Sequence, residues 1–383
     1  MNEHVITDEP HGPGNSRNSE GAFVTLKDGR VLFAYSRYRA GRGGDADPAD
    51  IAARVSADDG RTWSEPPHVI VANEGGCNVM SASLLRLQDG RLALIYLRKN
   101  SVEDCCPFIR FSSDEGERWS EPVRTVPRVG YFVLNNDRAI QLRSGRILLP
   151  IAQHFRITPA DPAAKPSFDQ RGHFFVVWSD DGGATWTEGP EFWTLPSGRD
   201  YLQEPGVIEL RDGRVWCFLR TNTGRQWQTF SADEGASWSV PKPSRFHSPK
   251  APLSMKRIPA TGDLLAVWDD AATAARLWGD GKRLAPNGRV ADKSWGRTPL
   301  VAAVSRDEGS RWSRSRILEQ EPDHGYCYIA IHFVEDAVLL AYCCGGGEHS
   351  HVLQDLRIRR VPLAWFYSFL NKREVLTENP EGE

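Results

Sequence analysis

The chain has 383 residues, 40% of them hydrophobic and 25% charged, so it can bury a core and lacks the composition of a disordered protein. Its 47 basic and 50 acidic residues give a formal net charge of -3, so no basic surplus indicates a nucleic-acid or anionic-membrane partner. No apolar run reaches the roughly 18 residues that a membrane-spanning helix needs.

The first residues, MNEHVITDEPHGPG, have neither the basic region nor the apolar region of a secretory signal, so we expect a cytoplasmic protein. Seven cysteines is an odd number, and neither C-x-x-C nor H-x-x-x-H spacing occurs. We therefore expect free thiols, no metal site and no cofactor.

In chain order, six segments each contain two apolar or alternating runs joined by a tight turn. The turn carries Asp-Gly or a close variant, which is the strongest short-range signal for a β-hairpin. The six segments are FVTLKDGRVLFAY, SLLRLQDGRLALIY, AIQLRSGRILLPI, VIELRDGRVWCFL, SMKRIPATGDLLAVW and AIHFVEDAVLLAY.

A second motif, S-x-D-x-G-x-x-W, recurs five times between these hairpins. The aspartate can bond the backbone of its own turn and the glycine can take a positive φ, so the motif predicts a turn rather than a calcium site. The five copies begin at Ser56, Ser112, Ser179, Ser231 and Ser305. Each unit has about the length of one propeller blade. The sequence thus predicts an all-β fold, a six-bladed β-propeller of four-stranded antiparallel blades.

The whole chain, 1–383, is expected to form this single domain. Residues 1–15 would be a closing segment, in which His4–Asp8 pairs with the last blade. Residues 372–383 would be a flexible tail.

The S-x-D-x-G-x-x-W turn is known as an Asp-box. Together with the six hairpin units, these Asp-boxes resemble the sialidase (neuraminidase) superfamily of β-propellers, whose repeats are called BNR repeats. The resemblance covers nearly the whole chain. It implies a β-propeller fold, which in this superfamily occurs in glycosidases, in lyases and in proteins that are not enzymes.

Strand polarity places the candidate site on the face opposite the turns. The first strands begin at that face, and the second strands end there. Counting nine residues back from the turn glycine, or from Ala337 in the last hairpin, gives Glu20, Ser81, Asn136, Glu204 and Tyr328. The ends of second strands add Arg37, Gln153 or His154, and Arg220, and the start of a third strand adds Arg297.

This set of residues favours the chemistry of an anionic sugar. Guanidinium groups bind a carboxylate through paired hydrogen bonds, so a sialic or uronic acid fits the arginines. A phenol needs a neighbouring carboxylate to take its proton before it can act as a nucleophile. Tyr328 and Glu204 could meet across the axis in those two roles.

The resemblance assigns further roles. The segment QEPGVIELRDGRVWCFLR is similar to the sialidase segment that carries the base glutamate and the second arginine of a triad, here Glu204 and Arg220. Arg297 matches the third arginine. Tyr328 matches the tyrosine nucleophile, with Tyr326 as a near rival.

The chain departs from the family pattern at two points. Where the first triad arginine normally opens an R-I-P motif, this chain has RNSEG, with Ser19 or Glu20 in the slot and Arg17 slightly early. The acid aspartate expected at the start of the second blade is replaced by NVMSASLL. Candidates for the missing acid, in order of preference, are Asp137 with Arg138 beside it, then Glu20, then Asp47 or Asp50.

The leading hypothesis is a sialidase-like glycosidase that removes a terminal anionic sugar from a glycan. One alternative is a uronic-acid lyase on the same fold, in which Tyr328 or His154 moves the proton. Another is a propeller that binds sugar without catalysis. A glycan is the expected partner, and a homo-oligomer is left open.

Overall fold

The computed structural model describes residues 4–158, 167–198, 200–279, 294–348 and 350–368. It is rich in β-strands and has two short helices, α1 (Ala271–Trp278) and α2 (Leu363–Tyr367). Within the described ranges, no helix has the length and apolar character needed to cross a membrane. The predicted tail, 372–383, lies outside these ranges.

The strands follow the hairpins expected from the sequence. In chain order they are β1 (Val5–Glu9), β2 (Arg17–Thr25), β3 (Val31–Tyr38), β4 (Ala49–Ser56), β5 (His68–Val71), β6 (Asn78–Arg86), β7 (Leu92–Lys99), β8 (Cys105–Ser112), β9 (Val123–Arg124), β10 (Tyr131–Val133), β11 (Ile140–Gln141), β12 (Ile147–His154), β13 (Arg156–Ile157), β14 (Ser167–Phe168), β15 (His173–Ser179), β16 (Thr187–Glu188), β17 (Gln203–Glu209), β18 (Val215–Arg220), β19 (Arg225–Ser231), β20 (Lys242–His247), β21 (Ser254–Arg257), β22 (Leu264–Asp269), β23 (Leu300–Ser305), β24 (Arg316–Glu319), β25 (Cys327–Phe333), β26 (Ala337–Cys343) and β27 (Leu356–Pro362).

Four of the sheets contain four strands each. Three of them use consecutive strands, β2 to β5, β17 to β20 and β21 to β24, and the fourth has the order β25, β26, β27, β1. In that last sheet Val5 pairs with Arg360 and Glu9 with Leu356, antiparallel. The N-terminal strand therefore completes the last sheet.

The second and third hairpin units differ from expectation because they share one nine-stranded sheet. The link is a single parallel pairing of β8 with β10, at Cys105 and Tyr131, supported by a hydrogen bond of 3.0 Å from Cys105 N to Gly130 O. The first strand of the third unit is also split into β10 and β11, so its start is free to reach the neighbouring unit.

The five S-x-D-x-G-x-x-W turns have the same geometry. In the first, Gly60 N donates to Ser56 Oγ at 2.8 Å, and Ser56 Oγ donates to Asp58 Oδ1 at 2.8 Å. Asp58 Oδ1 also accepts from Thr62 N at 2.8 Å. The aspartate is thus occupied by its own turn, as predicted, and this satisfies backbone donors that would otherwise lack partners.

Each turn glycine packs against the hairpin unit that precedes it, and the first packs against the last unit. A Cβ added to Gly60 would lie 2.5 Å from Leu339 Cδ2 in β26, so only glycine allows this approach. The adjacent core joins Phe23, Phe33 and Trp63 of the first sheet to Leu339 of the last. The first strands β2 and β25 also touch. The sheets therefore follow one another around an axis, which is consistent with a β-propeller.

Candidate functional site

Four first strands carry the same irregularity at their start. Glu20, Ser81, Glu204 and Tyr328 have φ values of 54°, 60°, 42° and 60°, the left-handed region that residues other than glycine seldom adopt. In each strand the pairing register shifts at this point, so each residue forms a β-bulge. Strained backbone of this kind often marks a functional site, and here the same device recurs in four sheets.

The four bulge residues line one cavity of about 390 Å³ at the starts of the first strands. Of the predicted site residues, seven line this cavity: Glu20, Ser81, His154, Glu204, Arg220, Arg297 and Tyr328. The matching offsets in separate sheets thus converge on one pocket, which was the central assumption of the sequence-based prediction.

Tyr328 and Glu204 face each other in this cavity. Tyr328 Oη donates a hydrogen bond of 3.2 Å to Glu204 Oε1. Arg220 Nη1 lies 2.5 Å from Glu204 Oε2 as an ion pair. Burial alone would raise the pKa of Glu204, but the guanidinium groups of Arg220, Arg297 and Arg138 together hold that pKa below its ordinary value. Glu204 is therefore an ionised carboxylate placed to accept the phenolic proton.

The phenol itself is held neutral in the free protein. Burial and then the Glu204 charge raise the pKa of Tyr328, while Arg220 and Arg297 oppose them. A tyrosine in this state becomes nucleophilic only when its proton leaves as the new bond forms.

Arg297 is a buried cation beside this pair. Its Nη1 donates to Cys327 Sγ at 3.0 Å and its Nη2 to Lys250 O at 3.4 Å, and its guanidinium lies 5.6 Å from the Tyr328 ring centre. None of these partners is a carboxylate. The charge of Arg297 is therefore available for an anionic ligand in the cavity.

A second group of carboxylates lies on the wall formed by the first sheet. Arg17 Nη2 is 2.9 Å from Glu20 Oε2, and Arg17 Nη1 is 2.6 Å from Asp45 Oδ1. Ser81 Oγ donates to Glu20 Oε1 at 3.1 Å. Arg17 itself does not line the cavity, but it is paired with Glu20 and Asp45, which do.

The two acids differ in protonation. Burial raises the pKa of Glu20, with Asp45 adding to the effect and Arg17 opposing it. For Asp45 burial acts in the same direction, but Arg17 outweighs it and lowers the pKa. Glu20 is thus the carboxyl that tends to keep its proton.

The structure contradicts the placement of Asp137 and Arg138 in this cavity. Asp137 Oδ1 pairs with Lys256 Nζ at 2.6 Å and Oδ2 accepts from Ile331 N at 2.9 Å, and both predicted residues line a different cavity. The reason is the break between β10 and β11, where the chain leaves the pairing with β12 and a count from the turn glycine no longer sets side-chain direction.

Three other predicted residues also lie outside the cavity lining. Asn136 is buried, and its Nδ2 donates to Gly21 O at 2.8 Å and Tyr328 O at 3.0 Å, so it joins the first strands. Tyr326 is buried in a core cluster and contacts Tyr342 edge-on. Arg37 lies on β3 opposite Asn18 and Asp50. Tyr326 is therefore not a rival nucleophile in this structure.

His154 lines the cavity as a neutral side chain. Its Nδ1 lies 2.8 Å from Asp169 O, and burial lowers its pKa. Among the residues that the structure describes, no three histidine, cysteine or acidic side chains are grouped as metal ligands. All seven cysteines are free thiols, as predicted.

Sequence reasoning missed part of the lining. Asp45 belongs to the loop GGDADPADI, from which only Asp47 and Asp50 were selected. Asp47 is bonded within this loop, where its Oδ2 accepts from Gly44 N at 2.8 Å, and Asp50 Oδ1 accepts from Asn73 N, beyond β5, at 2.8 Å. The other missed residues include Tyr131, Gln170, Gln203 and Trp295. Of these residues, Trp295 could have been found from the sequence, because it lies only two residues before the predicted site residue Arg297.

The chain matches a known protein family over most of its length. Residues 34–340 match the family described as the BNR repeat-like domain. A sialidase from Paraclostridium sordellii is 26% identical over 247 residues, which is 57% of this chain and 56% of that protein. The chain thus spans little more than half the length of this curated relative.

Two solved structures share the fold. A Dyadobacter fermentans protein of unknown function has a TM-score of 0.68 at 16% identity, over 94% of this chain and 98% of that chain. Trypanosoma rangeli sialidase in complex with 2,3-difluorosialic acid, a covalent intermediate, has a TM-score of 0.67 at 15% identity, over 95% and 60%. At these identities the likeness concerns the fold. Because the family match covers most of the sequence, the chain belongs to the BNR repeat-like family of the sialidase superfamily.

Proposed function

We propose that the protein is a glycoside hydrolase of the sialidase type that removes a terminal anionic sugar, such as a sialic acid, from a glycan. The observation that carries this proposal is the hydrogen bond from Tyr328 to Glu204, with the carboxylate of Glu204 also paired to Arg220. This is a nucleophile and its base in contact, buried beside arginines suited to a carboxylate.

The reaction that follows from this geometry has two steps. In the first, Tyr328 Oη bonds to the anomeric carbon as the glycosidic bond breaks, Glu204 takes the phenolic proton, and an acid protonates the leaving oxygen. In the second, water attacks the anomeric carbon and gives a proton to the deprotonated acid, the bond to the tyrosine breaks, and Glu204 returns its proton to the phenol. Tyrosine nucleophiles of this kind are known among glycosidases.

Binding of the sugar carboxylate falls to Arg297 and Arg220. Among the described residues no carboxylate forms an ion pair with Arg297, so this side chain gains the most from an anionic ligand. Arg220 is shared between Glu204 and the ligand. Such charge-assisted contacts orient the sugar so that its anomeric carbon faces the phenol.

We propose Glu20 as the acid, because its pKa is raised and it therefore holds the proton that the leaving oxygen needs. Asp45 is the alternative, because it lies in the same cavity on a loop. Asp137 is not retained, since Lys256 occupies its carboxylate in a separate cavity.

We further propose that the sheets form a six-bladed propeller. The nine-stranded sheet contains two hairpin units, so the five main sheets comprise six units in total. Contacts between the first strands of neighbouring units, and between β2 and β25, support closure of the ring.

The sialidase relatives support a hydrolase, since one of them is a P. sordellii sialidase and another is a T. rangeli sialidase caught as a covalent intermediate. The test is an assay of the folded protein on aryl sialosides, aryl uronides and neutral aryl glycosides, with product identified by mass. Release of the free anionic sugar is expected. A product with a new double-bond absorbance would instead assign elimination, and binding without any product would assign a sugar-binding propeller.

A further inference from the structure

The first strands that begin at the candidate active site end at a second cavity, of about 350 Å³. Strands β6, β17 and β25 contribute Ser81, Glu204 and Tyr328 to the first cavity, and their far ends contribute to the second. The two cavities therefore lie at opposite ends of the same strands.

Arg138 is the feature of the second cavity that the proposed reaction does not use. Its side chain is buried, its guanidinium lies 5.4 Å from the Phe218 ring centre, and its Nε has no hydrogen-bond partner. Space for the guanidinium exists because residue 206 is glycine: a Cβ there would lie 2.6 Å from Arg138 Nη1. The fold thus leaves room for a cation that it does not pair.

The carboxylates nearest to Arg138 already have cationic partners. Asp137 is paired with Lys256 at 2.6 Å, and Glu204 with Arg220 at 2.5 Å. Burial lowers the pKa of Arg138 to about 10, opposed by Asp137 and Glu204, so the group is still a cation at neutral pH.

Every other charged side chain in the lining is in an ion pair. The pairs are Arg86 with Glu115, Glu209 with Arg143, Arg257 with Glu308, and Asp137 with Lys256. His332 also lines the cavity, and burial lowers its pKa to about 3, so it is neutral. One uncompensated positive charge is therefore left in the second cavity, and a buried charge without a partner is costly.

We propose that the second cavity is a binding site for a small oxyanion, with Arg138 as its central ligand. The shared chemistry is a phosphate, sulfate or carboxylate group, either as a free ion or borne by a sugar, which a guanidinium binds through paired hydrogen bonds. This site is separate from the proposed hydrolytic site.

The experiment is calorimetric titration at neutral pH with inorganic phosphate and sulfate, and with glucuronate and a sulfated monosaccharide. It is done in the Arg297→Met background, which removes the free cation of the first cavity without leaving a carboxylate unpaired. Adding Arg138→Met is expected to weaken binding at least tenfold. Adding Arg214→Met, an exposed arginine whose partner Asp212 lies outside both cavities, is the matched control and should have little effect.

Tighter binding of the free ions would assign an inorganic anion, and tighter binding of the sugars would assign a glycan group. The proposal is overturned if no probe binds in the Arg297→Met background, or if Arg138→Met leaves the affinity unchanged. Should Arg138→Met fail to fold, wild-type crystals soaked in selenate give a second measurement. Anomalous selenium density beside the Arg138 guanidinium is expected, and its absence from this cavity would overturn the proposal.

Discussion

The phenol of Tyr328 donates a hydrogen bond of 3.2 Å to the carboxylate of Glu204, a residue 124 positions away in the sequence. Both residues occupy β-bulges in the left-handed region at the start of first strands. The same backbone device in two sheets thus brings a nucleophile to its base.

Replacing Tyr328 with Phe is expected to reduce kcat on an aryl sialoside on the order of 1,000-fold, because the bond to the anomeric carbon can no longer form. Tyr326→Phe is the matched control, since Tyr326 lies two residues away in the core and outside the cavity. Equal losses in both variants would contradict the assignment.

The pH dependence of kcat/KM reports on Glu204. Its pKa is held below the ordinary 4.5 because Arg220, with Arg297 and Arg138, outweighs the effect of burial, so the base form persists into acidic solution. We expect the acidic limb of the profile below pH 4.5, and in Arg220→Met an upward shift of about one pH unit or more. Arg214→Met, which removes an exposed arginine paired with Asp212, should leave the limb in place.

The dependence of kcat/KM on the leaving group would identify the residue that acts as the general acid. Glu20→Gln is expected to lower kcat/KM about 100-fold for a sialoside with an alcohol leaving group, and much less for one with an acidic phenol, which needs no proton. Asp45→Asn should not show this contrast. The reverse pattern would remove Glu20 from the role and assign it to Asp45.

The first Asp-box aspartate should matter for stability rather than for activity. Asp58→Ala removes the acceptor for Thr62 N and for the hydroxyl groups of Ser56 and Thr62, and we expect a loss of about 1–3 kcal/mol in the free energy of unfolding. Denaturant unfolding measures it. Asp59→Asn, at the neighbouring position with φ of 57°, should cost much less because asparagine tolerates that conformation.

The burial of Asp269 is expected to give an unusual dependence of stability on pH. It is fully buried at the end of β22 with neither oxygen bonded, and burial raises its pKa well above 3.8. Because the folded-state pKa is raised, Asp269 loses its proton at a lower pH in the unfolded chain than in the folded chain. The contribution of Asp269 to stability is therefore complete below pH 3.8 and is lost as the pH rises through the folded-state pKa.

Asp269→Asn removes that titration. Over this range the variant is expected to gain on the wild type by up to about 1.4 kcal/mol in unfolding free energy per pH unit. If the unfolding free energies of the wild type and of Asp269→Asn differ by the same amount at every pH, the assignment of a neutral Asp269 is wrong.

The sequence was a good guide wherever strands are regular. The hairpin turns and the S-x-D-x-G-x-x-W motif are local signals, because each satisfies its own backbone, and they located the strands. The count from the turn glycine found Glu20, Ser81, Glu204 and Tyr328 because their strands pair without a break between turn and bulge. The same count gave Asn136, which lies outside the cavity lining, because the first strand of that unit is interrupted.

Local sequence thus determined the repeating hairpins, the turn chemistry and the face on which polar residues gather, since these depend on neighbours a few positions apart. Only the tertiary structure decided which acids share the cavity. Asp45 lines the cavity and is paired with Arg17, whereas Asp137 lies outside the cavity and is paired with Lys256. Such partners lie on other loops and sheets, and their distances depend on how the units pack around the axis.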